Sequence, residues 1–169
     1  MSEISFGKMK YRLLGKGSVQ ETAESCGIKG TYLSGIYRGR IMPLSSTLAK
    51  VCSVLKCYPS EVCDFTGYDI KAGYFTDDKR VKLPEETRGE VTYKPLWVFL
   101  GEYCESHKGK TANDLFDRIE TGRKTSNRYK GLSEEIRTKL RNDRPLNMNV
   151  IYSICKFLGC SIDFVMGYK

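Results

Sequence analysis

The sequence holds a single histidine, a single tryptophan and five prolines, and no apolar run approaches the roughly 20 residues of a membrane span. His107 stands in the polar run "ESHKGKT", so a Cys/His pair would need tertiary accident to form, and no catalytic constellation is expected. Seven cysteines are present but none is spaced C-x-x-C, and most sit among apolar neighbours, as in "KVCSVL" and "SICKFL". Buried, reduced thiols are therefore expected rather than disulfides or zinc, with no metal or other cofactor. The start "MSEISFGKMKYRLL" has no secretory apolar stretch. A cytoplasmic protein with no membrane association is expected.

Positive charge, by contrast, is in excess. The net charge is +8 and the isoelectric point about 9.1, a balance that favours polyanions, nucleic acid ahead of an anionic surface. The excess is not spread evenly. Residues 1–64 carry nine basic against five acidic side chains and residues 95–169 thirteen against nine, while residues 65–94 are neutral, with six of each.

The two charged regions share a pattern. "TLAKVCSVLKCYPSEVCDF" (Thr47 to Phe65) aligns with "VIYSICKFLGCSIDFVMGY" (Val150 to Tyr168), 103 residues apart, so that Cys52 meets Cys155, Leu55 meets Leu158 and Cys57 meets Cys160. In each copy the apolar positions recur at i, i+3, i+4 and i+7, the buried stripe of an amphipathic helix. Unrelated helices would explain the stripe but not the shared cysteine spacing, so an internal duplication is inferred. Upstream, "GIKGTYLSGIYRGR" lies over "GLSEEIRTKLRNDR", and "SVQETAESC" over "TANDLFDRI", each of the latter pair opening on a hydroxyl residue suited to cap a helix, Ser18 and Thr111. The second copy inserts "ETGRKTSNRYK". Its first helix is expected from Pro95. Between the copies, short alternating runs such as "RVKLP" and "GEVTY" suggest a linker with one β-hairpin.

The stretch "CGIKGTYLSGIYRGR" carries glycines at 27, 30, 35 and 39 although each glycine inside a helix costs about 1 kcal/mol. With "AESCGIKGTYLSGIYRGR" followed by "PLSSTLAKVCSVLKCYPSEV", the first copy resembles the phage-repressor (Xre/Cro-like) helix-turn-helix family over about Lys8 to Phe65. Ala23 matches the small residue where two helices cross, Gly27 their turn, Leu33 and Ile36 the buried face of the recognition helix, and Gly39 its end. Val19 stands where the family has glutamine, with Gln20 beside it. The resemblance implies a third helix that enters the DNA major groove. Gly30 and Gly35 then either permit close approach to DNA or are merely tolerated by packing.

The residues implied to touch DNA are Lys29, Thr31, Tyr32, Ser34 and Arg38 for base edges, with Gly35 for close approach and Tyr37, Arg40 and Lys16 for phosphates. The second copy matches less well, because Phe116 replaces the small crossing residue and its third helix opens with Ser133, Glu134 and Glu135. There Arg137, Arg141 and Arg144, with the inserted Arg123, Lys124, Arg128 and Lys130, are candidate contacts to nucleic acid or to a partner.

The expected fold is mainly α: two helix-turn-helix domains of four to five short helices, residues 1–66 and 95–169, joined by a linker at 67–94 with a small β-hairpin. The resemblance implies a sequence-specific double-stranded DNA-binding transcriptional regulator, repressor-like, of phage or mobile-element origin, and not an enzyme. The first domain is expected to read bases and the second half to pair two chains as a homodimer or hold a partner. A rival reading keeps the fold but makes the protein an inhibitor of a host nucleic-acid-handling complex, since some phage anti-defence proteins, anti-CRISPR proteins among them, have such domains.

Overall fold

The computed structural model describes residues 3–71, 90–121 and 129–168. Its first half runs β1 (Ile4–Ser5), α1 (Gly7–Leu14), α2 (Val19–Ser25), α3 (Gly30–Tyr37), α4 (Ser45–Leu55), a 3-10 turn (Pro59–Glu61) and β2 (Asp64–Phe65). The second half runs α5 (Lys94–Ser106), α6 (Ala112–Phe116), β3 (Glu120–Thr121), β4 (Tyr129–Lys130), α7 (Glu134–Arg141), α8 (Met148–Leu158) and α9 (Ile162–Val165). The chain is mainly helical with a small antiparallel hairpin, β3–β4, in which Glu120 pairs with Lys130 and Thr121 with Tyr129. That hairpin falls in the inserted "ETGRKTSNRYK". Of the linker runs expected to form a hairpin, "RVKLP" lies outside the described residues, and Glu90–Tyr93 has no strand pairing.

The local signals act as their chemistry requires. Ser18 and Thr111 each accept a hydrogen bond from the amide three residues on, and Glu21 and Asp114 reach back to the capping residue's own amide. These reciprocal bonds satisfy donors that a helix start leaves open. In α4 the stripe Leu48, Val51, Cys52 and Leu55 is buried, as is Ile151, Ile154, Cys155 and Leu158 in α8. Both helices end on a left-handed residue, Lys56 and Gly159, after which the Cys57 and Cys160 amides return to the Cys52 and Cys155 carbonyls. The shared cysteine spacing therefore serves one helix-ending motif that turns a second thiol back toward the first.

The helices of the two halves recur in the same order, while β1 and β2 belong to the first half alone and the β3–β4 hairpin to the second. α3 and α7 have the same length and start 104 residues apart; α4 and α8 also match in length and start 103 apart. The halves also pack on each other through matching positions. Leu44 forms an antiparallel bridge with Asn147, its counterpart 103 residues on. The Ser45 amide donates to the Leu146 carbonyl at 2.7 Å and the Met148 amide to the Pro43 carbonyl at 3.3 Å, two bonds that exchange when the halves are exchanged. An approximate twofold relation therefore runs through the chain. Tyr152 extends the contact by donating to the Thr66 carbonyl and meeting Phe65 edge to face, and Tyr168 stands edge-on to Tyr58. Buried residues of both halves form a single continuous core.

Candidate nucleic-acid interface

Helix α3 follows α2 after a four-residue turn at 26–29, in which Gly27 takes the positive φ of +67° that the reversal needs. Leu33 and Ile36, 0% and 1% exposed, anchor one side of α3 in the core. The other side forms the wall of an open groove of about 580 Å³ lined by Gln20, Thr31, Ser34, Tyr37, Arg38 and Arg40, with Ile41 behind them. The Ser34 hydroxyl donates to the Tyr37 hydroxyl at 3.3 Å, which lowers the Tyr37 pKa. The Arg38 guanidinium lies 5.7 Å from the Tyr37 ring centre. This rank of hydroxyls and guanidinium groups offers donors and acceptors with no carboxylate among them. From Ser25 to Ser60 the sequence contains no acidic residue and five basic ones.

The expected contacts separate into groups. Thr31, Ser34, Tyr37, Arg38 and Arg40 line the groove, and Lys29 is exposed as the residue that caps α3. Tyr32 does not line it; it is half-buried and packs against the core. Gly35 is buried, and a Cβ there would come 2.5 Å from Ile41 Cδ1 and 2.9 Å from Cγ1, so Ile41 fills the space that the missing side chain leaves. Close approach of α3 to its own following loop accounts for the missing side chain, and Gly35 also lines the groove. At Gly30 a Cβ would lie 2.2 Å from Gln20 Oε1. Gln20 thus crosses the start of α3 while its amide donates to Glu24 at 2.7 Å, and Val19 turns toward the core. Val19 also lines the groove, and with it Gln20 and Ile41 are groove residues that sequence reasoning did not name as contacts. The signal for Gln20 was its place beside the position where the resembled family has glutamine.

The second half places its cations differently. Arg137 is only 12% exposed in its side chain; its Nε donates to the Leu132 carbonyl at 2.8 Å, and it bonds to Asn113 and pairs with Asp117. It also lies 6.0 Å from the Phe116 ring centre. Arg137 occupies the position of Leu33, and Phe116 that of Ala23, so the divergence at both sites is one compensated exchange. An arginine in place of a buried leucine keeps its charge satisfied by acceptors and a ring face. Arg137 therefore holds α6 to α7 and is not a free contact to phosphate. Arg141 pairs with Glu134 at 2.7 Å and Lys139 with Glu135 at 2.6 Å, while Arg144 is exposed just beyond α7. Arg123, Lys124 and Arg128, and the side chain of Lys130, lie outside the described residues.

Among the described residues no group of three or more His, Cys, Asp or Glu could hold a metal ion, and no helix is long and apolar enough to cross a membrane. Comparison with protein-family models, curated proteins and solved structures finds no match for this chain. Functional inference therefore rests on the geometry of α3 and its surroundings.

Proposed function

We propose that this protein is a duplex-DNA-binding regulator that reads sequence through α3. The observation that carries the reading is the groove face of α3: hydroxyls and guanidinium groups, on a helix set after a tight turn, within 36 residues that contain no acid. Arginine suits the acceptor edge of guanine, and threonine or serine hydroxyls suit several base edges. Arg40 and Lys29, at the ends of the helix, suit phosphates. A repressor-like role follows from the resemblance of this half to phage repressors.

Selection from random duplex DNA at near-physiological salt tests it. One enriched motif is expected. Arg38→Ala should cost about 1–3 kcal/mol on that motif and relax specificity, whereas Arg40→Ala should weaken all sequences alike and flatten the salt dependence. Uniform weak binding with no motif, or a motif indifferent to Arg38→Ala, would sink the reading.

A further inference from the structure

Helix-turn-helix readers commonly pair two chains about a twofold axis, so that two like helices meet two inverted half-sites. In this protein the axis is internal. The contacts that lie on it, Leu44 with Asn147 and Ser60 with Asp163, join residues of one chain. A second chain would have to displace them.

The residues on the axis also oppose like-with-like pairing. In a symmetric dimer a residue at the axis faces its own copy. Two C-terminal halves paired through this surface would set Asp163 against Asp163, and Asp163 is 6% exposed, so two carboxylates would face each other away from water. Two N-terminal halves would set Ser60 against Ser60 and lose the carboxylate that accepts both the amide and the hydroxyl of that serine. The unlike pair is complementary where either like pair is not. Complementary asymmetry of this kind favours pairing within the chain.

The twofold-related reading faces differ as well. Where α3 has Gly30, Thr31 and Arg38, α7 has Glu134, Glu135 and Asn142. Both glutamates are exposed in the first turn of α7, the end that would meet DNA, and their pairing with Arg141 and Lys139 consumes two of that helix's cations. Carboxylates there repel phosphates.

We propose that a single chain is the whole binding unit, and that its target is an asymmetric duplex site read at base level on the α3 side only. This rests on the duplex-DNA reading above. The test combines motif selection with sedimentation of the full chain, alone and on the selected duplex, and on a duplex carrying the motif twice as inverted copies one helical turn apart. The chain should sediment as a monomer when free and bind the selected duplex one to one. The inverted repeat should raise affinity by no more than about twofold, the statistical gain of a second site. Glu135→Gln and Asn142→Ala should leave the motif unchanged, whereas Arg38→Ala should alter it. A free dimer, or two chains bound cooperatively to the inverted repeat, would overturn the inference and leave DNA reading by α3 intact. A motif with a second arm that Asn142→Ala erases would overturn the one-sided reading. With no enriched motif, DNA reading and this inference fall together.

Discussion

Ser60 and Asp163 stand at equivalent positions of the two halves and bond to each other: the Ser60 amide donates to Asp163 Oδ1 at 2.8 Å and its hydroxyl to Oδ2 at 2.6 Å. Two equivalent residues can touch only beside the axis that relates them. The pair therefore marks the axis, and the charge-assisted bonds tie the turn after α4 to α9.

Asp163→Ala removes both bonds and leaves a partly buried amide without its acceptor. Hydrogen bonds to charged groups contribute about 1.5–3 kcal/mol each in favourable cases, and the two share one carboxylate, so a loss of about 3 kcal/mol is expected. Asp163→Asn should lose roughly half as much, because an amide oxygen still accepts one bond. Urea unfolding with an unchanged slope would measure both. Equal stability of Asp163→Ala and the parent would show that the halves are not joined here.

Arg137 and Arg141 sit one helical turn apart on α7, yet opposite outcomes are expected from truncating them. Arg137→Ala takes the donor from the Leu132 carbonyl and the guanidinium from the Phe116 ring, and should cost about 2–3 kcal/mol. Arg141→Ala breaks an exposed pair with Glu134 and should change stability by less than about 0.5 kcal/mol. Thermal melts of the two variants decide it; a silent Arg137→Ala would mean that its network adds nothing.

Helix propensity by itself favours alanine at position 35 by about 1 kcal/mol. The Ile41 side chain reverses the sign, since the new methyl would overlap it and overpacking costs about 1–3 kcal/mol. Gly35→Ala should thus lower the melting temperature, and adding Ile41→Val should restore part of the loss. A more stable Gly35→Ala would show that Ile41 moves aside without cost.

The thiols make a prediction about reactivity. Burial pushes the Cys26, Cys52, Cys63 and Cys155 thiols up, and a hydrogen bond from Cys52 holds Cys57 down, but Cys57 is fully buried. Only Cys104 is partly open to solvent. At pH 8 a disulfide reagent should react rapidly with one thiol, a reaction lost in Cys104→Ser, and with the other six only in denaturant. Two or more rapid equivalents in the native protein would contradict the packing of the shared core.

Much of the first half was legible because its signals are local. The stripes of α4 and α8, the Ser18 and Thr111 caps and the glycine turn at Gly27 depend on neighbours three or four residues away. The shared cysteine spacing revealed the repeat for the same reason. The candidate site was less legible. Thr31, Ser34 and Arg38 follow from helical periodicity, but the partial burial of Tyr32 against the core and the packing of Ile41, six residues on, over Gly35 depend on contacts that periodicity does not carry. In the second half a count of arginines could not distinguish Arg137, held by three groups on α6 and the turn before α7, from an exposed cation.

Sequence alone determined the stripes of α4 and α8, the Ser18 and Thr111 caps and the order in which the helices recur, because periodicity and capping are settled within a turn of chain. Tertiary structure decided what the recurrence is for. A stripe shows that a face must be buried but not what covers it: α4 packs on α2 and α8 on α9, each within its own half, while the contacts that join the halves link residues about a hundred positions apart. Pro43 to Ser45 meet Leu146 to Met148, and Ser60 meets Asp163, inside one chain. A half tethered in the same chain meets this surface at a higher effective concentration than a free copy would.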